Sequence, residues 1–93
     1  MKITNVEVFP IYPPLAKRYR DNPARNGHEH RVAAKVTTDI GITGFGDFDG
    51  SDPPASETFE PLIDTNPFNY IGSDLNPAVV MAMYDIMGKY LEI

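Results

Sequence analysis

Apolar and polar residues alternate in the first part of the chain in a way that predicts an edge β-strand. Residues 3–12 are rich in β-branched and aromatic side chains. Pro10 cannot donate a backbone hydrogen bond to a neighbouring strand, which favours an edge position. The alternation places Val6 and Val8 on one face. It places three other apolar residues on the opposite face: Ile3, Phe9 and Ile11.

Two further alternating segments, residues 31–38 and 42–48, predict a β-hairpin. The short connection between them contains Gly41, which can adopt a positive φ in a tight turn. Gly44 and Gly46 alternate within the second of these strands. Glycine weakens a strand, so this pair predicts the close approach of another backbone or of a ligand.

The second half of the chain carries signals for short helical segments. Ser56 is a candidate N-cap for a short helix over residues 57–63. Asn66 and Pro67 predict another helical turn, which Gly72 ends.

The last segment predicts a longer helix over residues 77–91, with Asn76 as its cap and Pro77 at its first position. An apolar stripe at helical spacing is expected to face the core: Val79, Val80, Met83, Ile86, Met87, Tyr90 and Leu91. The opposite side carries few charges: Ala78, Met81, Asp85, Gly88 and Lys89. We therefore expect this side to pack as well, against something that the chain does not contain.

Charge is distributed unevenly along the 93 residues, whose net charge is −5. Most basic residues fall between Lys17 and Lys35, and most acidic residues come at or after Asp39. The negative net charge argues against nucleic-acid binding. The basic segment overlaps a long loop expected over residues 15–30, and it suits a small anionic ligand. A solvated loop without a partner is the alternative.

Composition excludes several other classes. The chain has no cysteine, which removes disulfides, thiolate metal sites and a cysteine nucleophile. The apolar run at residues 79–84 is too short to span a bilayer, and the N-terminus has no apolar signal core. We expect a cytoplasmic protein that does not bind membranes.

Short motifs in the chain do not assemble a catalytic or metal site. His28 and His30 lie two residues apart in a loop, without an evident third ligand for zinc. The acidic turn at residues 47–52 departs from the calcium-loop spacing. The glycines of residues 40–46 fit neither phosphate-binding motif. We therefore assign no catalytic residue and no metal ligand to this chain.

Three stretches resemble the N-terminal capping domain of the enolase superfamily, in its mandelate racemase/muconate lactonizing branch. Residues 36–47, VTTDIGITGFGD, are similar to the family's V-x-T-D-x-G-I-T-G-x-G-E hairpin. Residues 82–89, AMYDIMGK, resemble its A-L-x-D-[LI]-x-G-K helix, and residues 1–8 match its usual first strand. Asp47 and Met83 stand where the family has Glu and Leu.

The resemblance implies an α+β fold: a three-stranded antiparallel meander followed by a helical bundle, as in enolase N-terminal domains. It assigns residues 1–93 to one capping domain and implies that the C-terminal (β/α)-barrel follows the interrupted signature. In such enzymes, Mg²⁺ bound by barrel carboxylates stabilises the enolate that forms when a barrel base removes the proton α to a substrate carboxylate. The full-length enzyme would be a racemase, epimerase, cycloisomerase or acid-sugar dehydratase. We expect it to be a homo-oligomer, and we expect this chain alone to be inactive.

By the same resemblance, the capping domain contributes two specificity loops, here residues 14–30 and 48–54. The candidate substrate-binding residues in them are Arg18, Tyr19, Arg25, His28, Phe48 and Asp49. Arginine can hold a substrate carboxylate through two parallel hydrogen bonds. The alternatives are a freestanding α+β module that binds an anion without catalysis, and a structural interaction domain.

Overall fold

A computed structural model describes residues 1–11, 31–50 and 53–92, and within them a three-stranded sheet. Strands β1 (Ile3–Ile11), β2 (Arg31–Thr38) and β3 (Thr43–Asp49) pair antiparallel in the order β1-β2-β3. The meander is confirmed, and so is the edge position of β1, because β2 lies in the centre. Together with the helices that follow, this sheet confirms the predicted α+β class.

A register shift in β1 corrects the predicted orientation of Ile3. Pairing is irregular between Ile3 and Asn5, so that Ile3 lies opposite Thr38 while Val6 lies opposite Val36. The irregularity inserts an extra residue, which reverses the alternation at that point. Ile3 is consequently buried on the same side as Val6 rather than on the opposite face.

The β2–β3 turn has the predicted glycine conformation. Gly41 adopts a φ of 83°. The Thr38 backbone amide and hydroxyl both donate to the Ile42 carbonyl, at 3.1 and 2.7 Å. Thr38 is a polar residue with 4% of its surface exposed, and this bond satisfies its hydroxyl.

Two short 3₁₀ helices follow the sheet. The first spans Ser56–Leu62, and its N-cap is Ala55 without a side-chain hydrogen bond, so the prediction that Ser56 is the cap is wrong. The second spans Pro67–Tyr70, and the Asn66 side chain accepts a hydrogen bond from the Phe68 amide at 3.0 Å, as its turn signal predicted.

Helix α1 (Pro77–Leu91) begins as predicted, with Asn76 Oδ1 accepting from the Ala78 amide at 3.0 Å. Its buried face is rotated from the predicted stripe and consists of Ala78, Val79, Ala82, Met83, Ile86 and Met87. Tyr90 and Leu91 are exposed, at 44% and 71%. No helix in the described part of the chain is long and apolar enough to cross a bilayer.

The rotation follows from the two glycines of β3. A Cβ atom added at Gly44 would overlap the Ala82 carbonyl, and one added at Gly46 would overlap the Ala78 carbonyl. The backbone of α1 therefore lies directly on β3, which confirms the predicted close approach. Ala78 and Ala82 face the sheet because small side chains permit this distance. The expectation that the Ala78 side packs outside the chain is wrong for Ala78 itself.

Candidate functional site

All three strands have one end next to a predicted specificity loop, and these three ends lie side by side. Ile11 ends β1 and pairs with Arg31, which begins β2 and pairs with Asp49 at the end of β3. Residues 12–30 connect the first pair, and the second loop follows Asp49. Antiparallel pairing thus brings the bases of both loops to one end of the sheet, and we take this end as the candidate site.

A charged cluster, which we call the Arg31 fork, occupies this end. Arg31 Nε donates to Asp47 Oδ2, and Arg31 Nη1 donates to Asp49 Oδ1, each at 2.7 Å. The two aspartates are two residues apart on β3 and therefore share the face on which Arg31 lies. The exposed fractions of the side chains are 24% for Arg31, 43% for Asp47 and 83% for Asp49.

Sequence reasoning placed Arg31 in a strand and did not single it out. The signal was present in the hairpin, because the turn at Gly41 fixes the register that sets Arg31 opposite Asp49. Asp47, which the sequence analysis placed in an acidic turn and at the position of the family's Glu, is the second partner of the guanidinium.

Phe48 and Asp49, the two candidate residues within the described chain, point to opposite faces of β3. Asp49 lies on the open face, whereas Phe48 is half-buried against the core cluster. Its ring lies beside Gly50, where an added Cβ atom would approach the ring atoms to 3.4 Å. Asp49 is thus available as an acceptor at the surface, and Phe48 forms part of the domain's own packing.

The four remaining candidates, Arg18, Tyr19, Arg25 and His28, lie outside the described residues and remain predictions. So does the basic character of the first loop as a whole.

An apolar depression of about 270 Å³ adjoins the Arg31 fork. Ile11, Ala33 and Phe45 contribute to its lining, and Asp47 connects it to the fork. The end of the sheet therefore combines an apolar surface with an exposed carboxylate, the two features that hold a small polar organic molecule.

The described residues do not form a metal site. Within residues 1–11, 31–50 and 53–92, no group of three or more His, Asp or Glu side chains is placed to hold an ion. The pair Asp47 and Asp49 is bonded to a guanidinium instead. These described residues do not fit Mg²⁺.

Comparison with known proteins reveals a similarity of fold. The chain is similar to the crystal structure of a dipeptide epimerase from Enterococcus faecalis V583, with a TM-score of 0.73 and 22% sequence identity. The similarity covers 99% of this chain and 31% of that chain. The similarity shows the fold, and the chain spans about a third of the length of that epimerase. No family model matches the chain, and no curated protein matches it significantly.

Proposed function

We propose that this chain is the capping domain of an enolase-superfamily enzyme and that it contributes substrate specificity to a catalytic barrel. The similarity to the epimerase domain extends over nearly the whole chain and supports this role. The chain spans about a third of the length of that epimerase, and the proposal accordingly assigns the activity to a larger protein that contains this domain.

One observation carries the proposal: the two motif stretches pack against each other. Gly44, in the hairpin motif, lies against the Ala82 carbonyl, at the start of the helix motif. The Phe45 amide donates to the Asp85 carboxylate at 2.9 Å, and the Lys89 ammonium donates to the Thr43 carbonyl at 2.7 Å. The residue types that define both motifs are therefore those that hold α1 on β3. This packing supports the resemblance, because both motifs contribute residues to the same interface.

In the proposed enzyme, the candidate site of this domain covers the mouth of the barrel, where enzymes of this architecture bind substrate. Mg²⁺ would be held on the barrel and would stabilise the enolate formed there. The residues of this chain bind and orient a small carboxylate substrate and exclude water from it. Asp49 accepts a hydrogen bond from a donor group of the substrate.

The reaction is abstraction of the proton α to the carboxylate, with racemisation, epimerisation, cycloisomerisation or dehydration as its outcome. The test begins with the gene that encodes the chain, in which we expect roughly 250 further residues of barrel sequence. The full-length protein, incubated with Mg²⁺ in D₂O, should exchange the α-proton of one member of a panel of dipeptides, hydroxy acids and sugar acids. Proton NMR detects the exchange.

The matched control is the barrel expressed without residues 1–93, which should lose most of its discrimination among substrates. A stop codon directly after Ile93 would contradict the proposal and favour the freestanding module. So would a full-length protein that exchanges no α-proton in the panel.

A further inference from the structure

We propose that Arg31 is a positioning residue that fixes the Asp49 carboxylate in one orientation for contact with a substrate donor group. The proposal rests on the proposed function, which makes this end of the sheet a ligand-binding surface. On this surface Arg31 orients the acceptor, and the substrate group that binds there is a hydroxyl or an ammonium group.

The geometry restricts a side chain that would otherwise be mobile. An aspartate with 83% of its side chain exposed ordinarily samples several rotamers. Here Asp49 Oδ1 is held by Arg31 Nη1 at 2.7 Å, while Arg31 Nε is itself held by Asp47. Since the guanidinium is planar and Asp47 holds its Nε, the orientation of the guanidinium restricts that of the Asp49 carboxylate.

The charges of the Arg31 fork determine which ligand group it suits. Among the described residues, the fork consists of one guanidinium and two carboxylates, whose formal charges sum to −1. The carboxylate of a substrate would be repelled by these charges, whereas a hydroxyl or ammonium group could donate a hydrogen bond to the exposed Asp49 oxygens. The carboxylate end of the substrate must therefore be recognised elsewhere.

A purely stabilising role is the alternative for the Arg31 fork, because a guanidinium that is 24% exposed and bonds two carboxylates can contribute to the free energy of unfolding. The hairpin is already held by its ladder from Thr37 and Thr43 to Arg31 and Asp49. A purely structural role predicts that lysine replaces Arg31 without consequence, because lysine retains the charge and the long apolar stem. A positioning role predicts that it does not, because lysine lacks the planar fork.

The test compares Arg31→Gln and Arg31→Lys with Lys35→Gln as a matched control. Lys35 lies on the same strand and the same face, opposite Phe45, and its substitution removes the same charge. In the 93-residue chain, three-bond NMR couplings report the χ1 rotamer of Asp49. We expect one rotamer in the wild type and in Lys35→Gln, and averaged couplings in both Arg31 variants.

In the full-length protein, both Arg31 variants should raise KM for the exchanging substrate by about tenfold and leave kcat within about twofold. The control should match the wild type. Unchanged KM in Arg31→Gln, or full rescue by Arg31→Lys, would overturn the positioning role. If the wild-type enzyme exchanges no substrate, the proposed function is wrong and the positioning role fails with it. If the wild-type enzyme is active, an unchanged Asp49 rotamer in the Arg31 variants overturns the positioning role alone.

Discussion

The Asp85 carboxylate accepts a hydrogen bond from the backbone amide of Phe45 at 2.9 Å, and this bond joins a helix to the outer edge of a strand. Among the described strands, β3 lies at the edge of the sheet, and the outward amide of Phe45 has Asp85 as its partner. Lys89, one helical turn after Asp85, bonds the Thr43 carbonyl on the same edge. An open edge invites pairing with other chains, and these side chains of α1 cover it.

We expect the Asp85–Phe45 bond to make part of the stability depend on pH. The hydrogen bond from Lys89 lowers the pKa of Asp85, and the bond from the Phe45 amide lowers it further, while partial burial opposes both. A carboxyl group with a lower pKa in the folded than in the unfolded state stabilises the fold above the unfolded pKa. That stabilisation is lost as the pH falls through the folded pKa.

Asp85→Asn should therefore lower the free energy of unfolding by about 0.5–1.5 kcal/mol near neutral pH. The difference from the wild type should shrink as the pH falls below about 4, where unfolded aspartate becomes protonated. Unfolding in urea at a series of pH values measures the loss of stability and its dependence on pH. Asp74→Asn, at an exposed position, is the control. A difference that stays constant down to the lowest pH would show that the charge of Asp85 does not matter.

Local sequence signals predicted the elements well because their causes are local. Asn76 followed by Pro77 favours a helix start wherever it occurs, and Gly41 permits the turn whatever surrounds it. The face of α1 was not predictable in this way. Ala78 is weakly apolar by itself, and its burial follows only from the absence of a side chain at Gly46, far away in sequence.

The same distinction applies to the site. Asp49 was identifiable as the start of a loop, but its partner Arg31 becomes apparent only through the strand register. The orientation of Ile3 depended on an irregularity in pairing, which alternation alone cannot locate. The helices and strands were predictable from the sequence, whereas the contacts between them were not.

The close packing of α1 on β3 predicts that Gly44→Ala is strongly destabilising. An added Cβ atom would lie 2.6 Å from Ile86 Cγ1 and would overlap the Ala82 carbonyl. The helix would have to move, at a cost of about 1–3 kcal/mol or more. Gly88→Ala is the control, because a Cβ atom there meets no atom within 4 Å. It should stabilise α1 by about 0.5–1 kcal/mol, and calorimetry compares the two. Equal melting temperatures for both variants would contradict the packing.

Substitutions at Gly41 test the backbone conformation of the turn without changing side-chain packing. A Cβ atom at Gly41 has open space around it, so only the φ of 83° opposes a larger residue. Gly41→Val should cost about 1–3 kcal/mol, whereas Gly41→Asn should cost less because asparagine tolerates this region. The midpoints of urea unfolding, compared between variants with the same m-value, measure the difference in the free energy of unfolding. A valine variant as stable as the wild type would exclude the positive φ.

Met83 and Leu91 test which face of α1 is buried. Both belong to the apolar stripe expected from the sequence, but Met83 is fully buried and Leu91 is 71% exposed. Met83→Ala should lower the free energy of unfolding by about 2–5 kcal/mol. Leu91→Ala should change it by no more than about 0.5 kcal/mol. Unfolding in guanidinium measures both changes. Similar losses of stability in the two variants would indicate that Leu91 is buried, as the sequence predicted.

The prediction with the most functional content concerns Arg25 and His28, in the first specificity loop. If the Arg31 fork receives the donor end of the substrate, the carboxylate end requires a cation elsewhere, and Arg25 is suited to hold it through two parallel hydrogen bonds. His28 adds a donor three residues away. In the full-length enzyme, Arg25→Ala and His28→Ala should each lower kcat/KM at least about tenfold, a loss of about 1.4 kcal/mol of transition-state binding.

A matched control separates recognition of the carboxylate from general electrostatic attraction. Lys2→Ala removes a positive charge from an exposed residue at the start of the chain and should leave kcat/KM unchanged. Arg25→Lys should recover only part of the loss, because lysine retains the charge but cannot form the two parallel bonds. Residual α-proton exchange should persist in every variant, since the proposed function assigns the base that removes the proton to the barrel. Full kcat/KM in both alanine variants would exclude these two residues as substrate contacts, and recognition of the carboxylate would then have to come from the barrel.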